Sequence, residues 1–292
     1  MADEPTAKPP TVAFLGPPGS FTHKAALNYF ANPSAHELVA ETTIEAVVTA
    51  VEQGTTTFGV VPFENSSAGS VQPTLDRLLL SARTFPGRIH IIDQYYLPIH
   101  QCLLARDDLL TLADVTQVYS HPMGFSQCSQ WLLQHLPHAE RVEVTSTSKA
   151  AELAALNPGT VAIGSQATTQ LYKVRVWLPN IEDQSDNVTR FFVLHQSPGR
   201  PTAEDRTYLY FTLDHSKPGS LCQALDAFRV GHLNLSKIDT RPSHLQPWHF
   251  YFMVECDGHY SQARVKAVVA ALQSVCEKVG VLGSYSSLWR LT

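Results

Sequence analysis

Apolar positions along the chain form short runs that alternate with stripes at helical spacing. Residues 11–15 (Thr-Val-Ala-Phe-Leu) are a strand-length apolar run closed by Gly16, Pro17, Pro18 and Gly19. A helical spacing follows from Phe21 to Phe30, with Ser20 placed to cap it. The step repeats as a helix over 44–51 closed by Gly54, a strand over 58–61 that runs into a polar segment, and a helix carrying Leu75, Leu78 and Leu79. Strands are predicted over 89–92 and 95–104. The pattern then restarts: strand 117–120, a helix opened by His121 and Pro122 and running through Cys128 and Leu132, strand 142–144, a helix to Leu156, and strand 161–163. Alternating short strands and helices predict an α/β layer architecture. Two such stretches predict two lobes of similar construction, with a small-ligand cleft facing the helix N-termini. A strand over 188–194 is placed at the lobe junction.

Residues 197–204 are rich in proline, glycine and polar side chains, the composition of a linker. Beyond them the order is strand 206–213, helix 220–230, strand 233–241, strand 248–256, helix 260–279 and strand 282–289. In the last helix Val265, Val268, Val269, Leu272, Cys276 and Val279 make a stripe that would cover one sheet face. The order βαββαβ is that of a ferredoxin-like sandwich. The domain gathers no cluster of catalytic side chains, so its predicted job is binding or assembly. The division is a lead over 1–10, a two-lobed domain over 11–196, a linker over 197–205 and a C-terminal domain over 206–292.

Composition narrows the function classes. With 292 residues the chain is long enough for two domains. A net charge of −5 and a pI near 6.2 give no electrostatic case for nucleic acid or an acidic membrane surface. No run approaches the roughly 20 apolar residues of a membrane span, and the polar, Pro-rich start lacks the apolar core of a signal peptide. The five cysteines are odd in number, dispersed and never in a C-x-x-C pair, which predicts reduced thiols in a cytoplasmic protein. Thirteen histidines include no H-x-x-x-H or H-E-x-x-H spacing, so no metal and no cofactor are expected. Trp131, Trp177, Trp248 and Trp289 are read first as core residues.

Three segments hold the candidate chemistry. The run from Pro62 to Ser70 sets Glu64, Asn65 and several hydroxyls at the end of a strand, where open α/β sheets bind ligands. The plainer reading makes Asn65 or Ser66 a local helix cap. Thr189 and Arg190 put a hydroxyl beside a guanidinium whose fork suits a carboxylate, although a lone arginine more often forms a structural ion pair or is solvated. The turn from Gly16 to Thr22 resembles an anion cradle but carries no nucleotide-binding signature. His121 is a helix-entry residue or a general base. These residues by themselves name no substrate.

At the same segments the sequence resembles the prephenate dehydratase family with a C-terminal ACT domain. The resemblance runs from about Val12 through Phe14–Phe21, Pro62–Val71 (P-F-E-N-S-S-A-G-S-V), Ser120-His121-Pro122, Ser146–Ala151 and Asn187–Phe191 (N-V-T-R-F). It departs from the family where Met123 follows Ser120-His121-Pro122 in place of glutamine. In the ACT region the motifs read Gly219–Leu225 (G-S-L-C-Q-A-L) and Asp239–Pro242 (D-T-R-P). The resemblance implies a periplasmic-binding-protein-like catalytic domain that converts prephenate to phenylpyruvate in phenylalanine biosynthesis. Thr189 would be the hydrogen-bond donor to the departing hydroxyl and Arg190 the anchor for a substrate carboxylate. Glu64 would be the proton donor, which requires a protonated carboxyl in the site. Asn65, Ser66, Phe191, Ser20, His121 and Thr147 would contact substrate. Phenylalanine would bind at Gly219, Ser220, Leu221, Asp239, Thr240, Arg241 and Pro242, between ACT domains paired in a homodimer or larger homo-oligomer. The alternatives are an arogenate dehydratase and a non-catalytic amino-acid sensor of the same fold.

Overall fold

The computed structural model describes residues 9–32, 35–108, 111–244 and 246–288. The first lobe opens with β1 (Thr11–Leu15), α1 (Phe21–Tyr29), β2 (Glu37–Glu41) and α2 (Ile44–Gln53). It continues through β3 (Phe58–Asn65), the short β4 (Gly69–Ser70), α3 (Gln72–Thr84) and β5 (His90–Pro98). The chain then crosses to the second lobe, made of β6 (Cys102–Ala105), β7 (Gln117–Ser120), α4 (Pro122–Gln127), α5 (Ser129–His135), β8 (Glu140–Glu143), α6 (Thr147–Leu156), β9 (Thr160–Gly164) and β10 (Arg175–Leu178). It returns through β11 (Val188–His195). The C-terminal domain is β12 (Asp205–Thr212), α7 (Ser220–Val230), β13 (Leu235–Pro242), β14 (Phe250–Asp257), α8 (Ala263–Val275) and β15 (Lys278–Ser286).

The first lobe is a sheet in the order β5-β11-β3-β1-β2. On one face α1 and its C-cap Phe30 bring Ala25, Ala26 and the Phe30 ring onto Val12, Phe14, Val60 and Val193. On the other, α2 and α3 bring Val47, Val51, Leu75 and Leu78 onto Ala13, Val61, Phe63 and Phe192. The second lobe is a sheet in the order β10-β6-β9-β7-β8. Its middle strand β9 is buried along its whole length, as a strand with helices on both faces must be. Phe125, Cys128 and Leu132 cover one side, and Ala150, Ala151 and Ala154 of α6 cover the other.

The two segments joining the lobes, around 98–102 and 181–188, run side by side. Ile99 N–H donates to the Asn187 carbonyl and Ile181 N–H to the Gln101 carbonyl. The predicted long strand over 95–104 is therefore two strands, one in each lobe, broken at Ile99, His100 and Gln101.

The C-terminal sheet has the order β13-β14-β12-β15, with α7 and α8 packed on one face through Phe228, Val265, Val268 and Leu272. Its other face carries Tyr208, Tyr210, Tyr251, Met253 and Tyr285, which join the core of the first lobe. β15 pairs with β5 at Gly283 opposite Ile91, so both sheets merge into one of ten strands among the described residues. A Cβ on Gly283 would stand 2.1 Å from the Ile91 carbonyl oxygen, which is why the crossing uses glycine.

Some expectations change with the structure. Three strands went unpredicted: β4 is only two residues long, and β2 and β10 are only partly buried and lack clean alternation. Pro10 accepts from the Glu37 N–H, so the ordered chain reaches into the expected lead, whose residues 1–8 lie outside the described set. Trp248 is 86% exposed and no core residue, while Trp131 and Trp177 pack at the edge of the second-lobe core. Trp289 lies outside the described residues. No helix among the described residues is long and apolar enough to cross a membrane.

Candidate active site

The antiparallel register of β11 on β3 sets Thr189 opposite Asn65 and Arg190 opposite Glu64. Adjacent residues on a strand point to opposite faces. The two pairs, neighbours in sequence, therefore serve different sites. Asn65 and Thr189 look into the cleft between the lobes, whereas Glu64 and Arg190 look toward the C-terminal domain.

The cleft is a cavity of about 280 Å³ lined from both lobes, with Ser20, Phe21, Asn65 and Thr189 on one side and His121, Met123, Ser146 and Thr147 on the other. Asn65 is oriented by its own turn, where its Oδ1 accepts from the Ser67 and Ala68 N–H groups at 3.0 and 2.9 Å. Its Nδ2 is thereby aimed at Asn187 Oδ1, 2.6 Å away, and at Thr189 Oγ, 3.0 Å away. Since the Thr189 oxygen accepts from Asn65, its own proton is left to point into the cavity.

The lining residues include no lysine, arginine, aspartate or glutamate, and His121 is their one ionisable side chain. Two helix N-termini open onto this uncharged space. In α1 the Ser20 hydroxyl accepts from His23 N–H and donates to the Leu15 carbonyl. In α6 the Ser146 hydroxyl accepts from Lys149 N–H. The amides of Phe21, Thr22, Thr147 and Ser148 lie ahead of the first intrahelical bond and are the donors such a terminus offers an anion. The lobes touch beside them, with Ser148 Oγ donating to the Pro18 carbonyl at 2.7 Å. Gly19, at φ +83°, lies so close to Leu171 and Thr168 of the second lobe that a Cβ would be 3.0 Å from each. The ring of His23 stacks on Phe14 and its Nδ1 accepts from Gly19 N–H; burial lowers its pKa, which keeps it neutral.

The cleft also holds two residues that the sequence reading missed. Gln101, 2% exposed, donates from Nε2 to Gln127 Oε1 at 2.8 Å, and both line the cavity. Gln101 Oε1 is buried with no hydrogen-bond partner. A glutamine in an interlobe crossing gives no periodic signal, so nothing in the sequence singled it out.

The structure places other expected contacts elsewhere. Arg190 is 3% exposed and bonds Glu64 Oε1 at 2.9 Å and Glu255 Oε2 at 2.6 Å. Burial works against its charge, but Tyr285, Glu255 and Tyr96 around it and its hydrogen bond to Glu64 hold its pKa above the ordinary arginine value. It faces away from the cleft and is not placed to anchor a carboxylate there. Glu64 is turned the same way and takes Lys237 Nζ at 2.6 Å as well, so its carboxyl faces these cations and not the cleft. Phe191 is buried in the α1-side core. The Ser66 hydroxyl accepts from Val188 N–H and helps clamp β11 to β3. His121 caps α4, its Nδ1 accepting from Met123 N–H; the ring proton then belongs on Nε2, available to the cleft.

In the C-terminal domain, Gly219 caps α7, with Ser220 and Leu221 in its first turn. Asp239, Thr240, Arg241 and Pro242 lie on β13, which among the described residues pairs only with β14. Asp239 accepts from Ser70 Oγ at 2.8 Å, and Arg241 forks onto Asp76 of α3 with two contacts of 2.6 Å. These two side chains engage the first lobe, while Thr240 is exposed on the opposite face.

A two-lobed α/β cleft followed by a ferredoxin-like domain defines the class of protein. Residues 12–199 match the family model described as prephenate dehydratase. The prephenate dehydratase of Bacillus subtilis is 31% identical over 94% of this chain and 98% of its own length. The bifunctional chorismate mutase/prephenate dehydratase of Aquifex aeolicus is 38% identical over 94% of this chain and 73% of its own length. The crystal structure of Arthrobacter aurescens prephenate dehydratase in complex with L-Phe superposes with a TM-score of 0.83 at 29% identity, covering 94% of this chain and 89% of that one. The chain belongs to the prephenate dehydratase family.

Proposed function

We infer that this protein is a prephenate dehydratase acting in phenylalanine biosynthesis and that its chemistry takes place in the interlobe cleft. The observation that carries the reading is the Asn65–Thr189 pair, which presents one hydroxyl proton to an uncharged cavity bounded by two helix N-termini. Prephenate bears a ring carboxylate, a pyruvyl carboxylate and a ring hydroxyl. In the reaction the bond to the ring carboxylate breaks, its electron pair enters the ring, and hydroxide leaves from the opposite carbon. One proton turns that hydroxide into water, and carbon dioxide and phenylpyruvate are released.

A cation clamped on the departing carboxylate would stabilise the ground state more than a transition state resembling neutral carbon dioxide. A cleft with no lysine or arginine in its lining avoids that penalty. The pyruvyl carboxylate, which keeps its charge throughout, is held instead by backbone donors at the N-terminus of α1 or α6. Thr189 donates to the leaving oxygen. Threonine is too weak an acid to lose its proton outright, so it stabilises developing charge or passes on a proton supplied from water.

Phenylalanine is the proposed effector, bound at the C-terminal domain near Gly219–Leu225 and β13. The L-Phe complex of the Arthrobacter relative supports this, as does the free edge of β13, along which a second copy could pair. An effector inhibits only by binding the less active state better.

The test is phenylpyruvate formation by the purified protein given prephenate, with arogenate in parallel and phenylalanine titrated in. Turnover of prephenate suppressed by phenylalanine is expected. Turnover of arogenate alone would change the substrate, and turnover of neither would contradict the enzymatic reading.

A further inference from the structure

The strand pair that carries Asn65 and Thr189 is held from behind by the C-terminal domain. Glu255 follows the apolar run Phe250–Val254 of β14 and is 1% exposed. It accepts from Arg190 Nη2 at 2.6 Å, Arg206 Nη1 at 2.9 Å, Ser236 Oγ at 2.7 Å and Tyr285 Oη at 3.0 Å. Burial pushes its pKa up, but Arg190 and the hydrogen bonds outweigh that and bring it below the ordinary glutamate value. Arg190 in turn reaches Glu64, and Lys237 of β13 reaches Glu64 from the other side. The guanidinium also lies over the rings of Phe63, Tyr96, Phe192 and Tyr285, within 5.7 Å of each centroid, which fixes its plane.

Arg190 and Glu64 are the register partners next to Thr189 and Asn65. A shift of the guanidinium therefore moves the β3–β11 pair on whose other face the Thr189 hydroxyl sits. A buried arginine that loses one of its two carboxylate partners is pulled toward the other, here Glu64, because its charge has no water to turn to.

We propose that Glu255 is a positioning residue for the reaction: through Arg190 it sets the Thr189–Asn65 pair, so that the C-terminal domain completes the catalytic site. The proposal rests on the reading of Thr189 as the reacting hydroxyl. It requires Glu255 to act on the rate of the bound substrate, since it touches nothing in the cleft.

The experiment compares Glu255→Gln, Glu255→Asp, Arg190→Lys and Thr189→Ala in the full chain, with circular dichroism and thermal melts to verify folding. Glu255→Gln is expected to lower kcat about tenfold while KM for prephenate stays within about twofold, the signature of an interaction expressed in the transition state. Glu255→Asp, which keeps the charge, should recover part of that loss. Should Glu255→Gln fail to fold, Arg190→Lys carries the test, because it keeps a buried cation but loses the two-pronged contact, and the same split is expected. A folded Glu255→Gln or Arg190→Lys protein with wild-type kcat would overturn the proposal. So would a loss confined to KM, or an aspartate no better than the glutamine. If Thr189→Ala keeps full turnover, the reading of Thr189 fails on its own evidence, whatever Glu255 does.

Discussion

At the scale of single residues, the division of labour between Asn65–Thr189 and Glu64–Arg190 decides the chemistry. The four residues are two adjacent pairs in sequence, and the family resemblance puts all of them in the site. The strand reading of 188–194 already implied that Thr189 and Arg190 face opposite ways. What the sequence lacked was the partner for the back face, since Glu255 lies 65 residues beyond Arg190 on another domain. A glutamate directly after the apolar run of β14 was the available sign, because such a residue is rarely buried unless paired. On the cleft face, Asn65 aims the Thr189 proton by donating to its oxygen. Asn65→Ala frees that hydroxyl to rotate and should lower kcat about tenfold, in keeping with loss of one buried hydrogen bond worth about 1.5 kcal/mol. Steady-state kinetics with prephenate check it; an unchanged kcat would remove Asn65 from the mechanism.

At the scale of elements, the site is an arrangement of strand ends and helix starts. Ser20 was legible as a cap and Ser146 was not singled out as one; the structure has both hydroxyls accepting from the third residue of their helices. Their work is therefore to hold the first turns of α1 and α6 against each other across the cleft. The break between β5 and β6 was not legible, because 95–104 reads as one extended strand and only the tertiary crossing divides it. The join between the two sheets was equally hidden, since it depends on one glycine with no local role. Gly283→Ala drives a methyl group into the β5 backbone. The expected cost is about 1–3 kcal/mol from overpacking, or more if the strands part, measured by denaturant unfolding. The same variant should lose turnover, because β5 is also the neighbour of β11. Wild-type stability would contradict the close crossing.

At the scale of the whole molecule, the C-terminal domain presents one sheet face to the first lobe and keeps its helices on the other, so the two domains share a core. The order βαββαβ was readable from pattern alone, but its docking face was not. Tyr208, Tyr210, Tyr251 and Tyr285 alternate with residues that pack under α7 and α8, and each strand is buried on both sides. The buried charge at this junction gives the fold an acid sensitivity. Glu255 has a folded pKa below its ordinary value of 4.5, so the unfolded chain binds the extra proton first. Its contribution is fully present above that value and is lost as pH falls through the lower folded one. Unfolding curves from pH 7 to pH 3 should show stability falling below about pH 4.5, with a shallower fall in Glu255→Gln. Equal slopes in the two proteins would contradict the buried pair. The central claim is that Thr189, in a cleft without fixed cations, dehydrates prephenate. The most direct test is the rate of phenylpyruvate formation by the wild-type protein beside Thr189→Ala at saturating prephenate. The account predicts turnover by the wild type and a loss of about 100-fold or more in the variant, the scale on which one aimed transition-state donor acts. Equal rates, or no phenylpyruvate from the wild type, would contradict it.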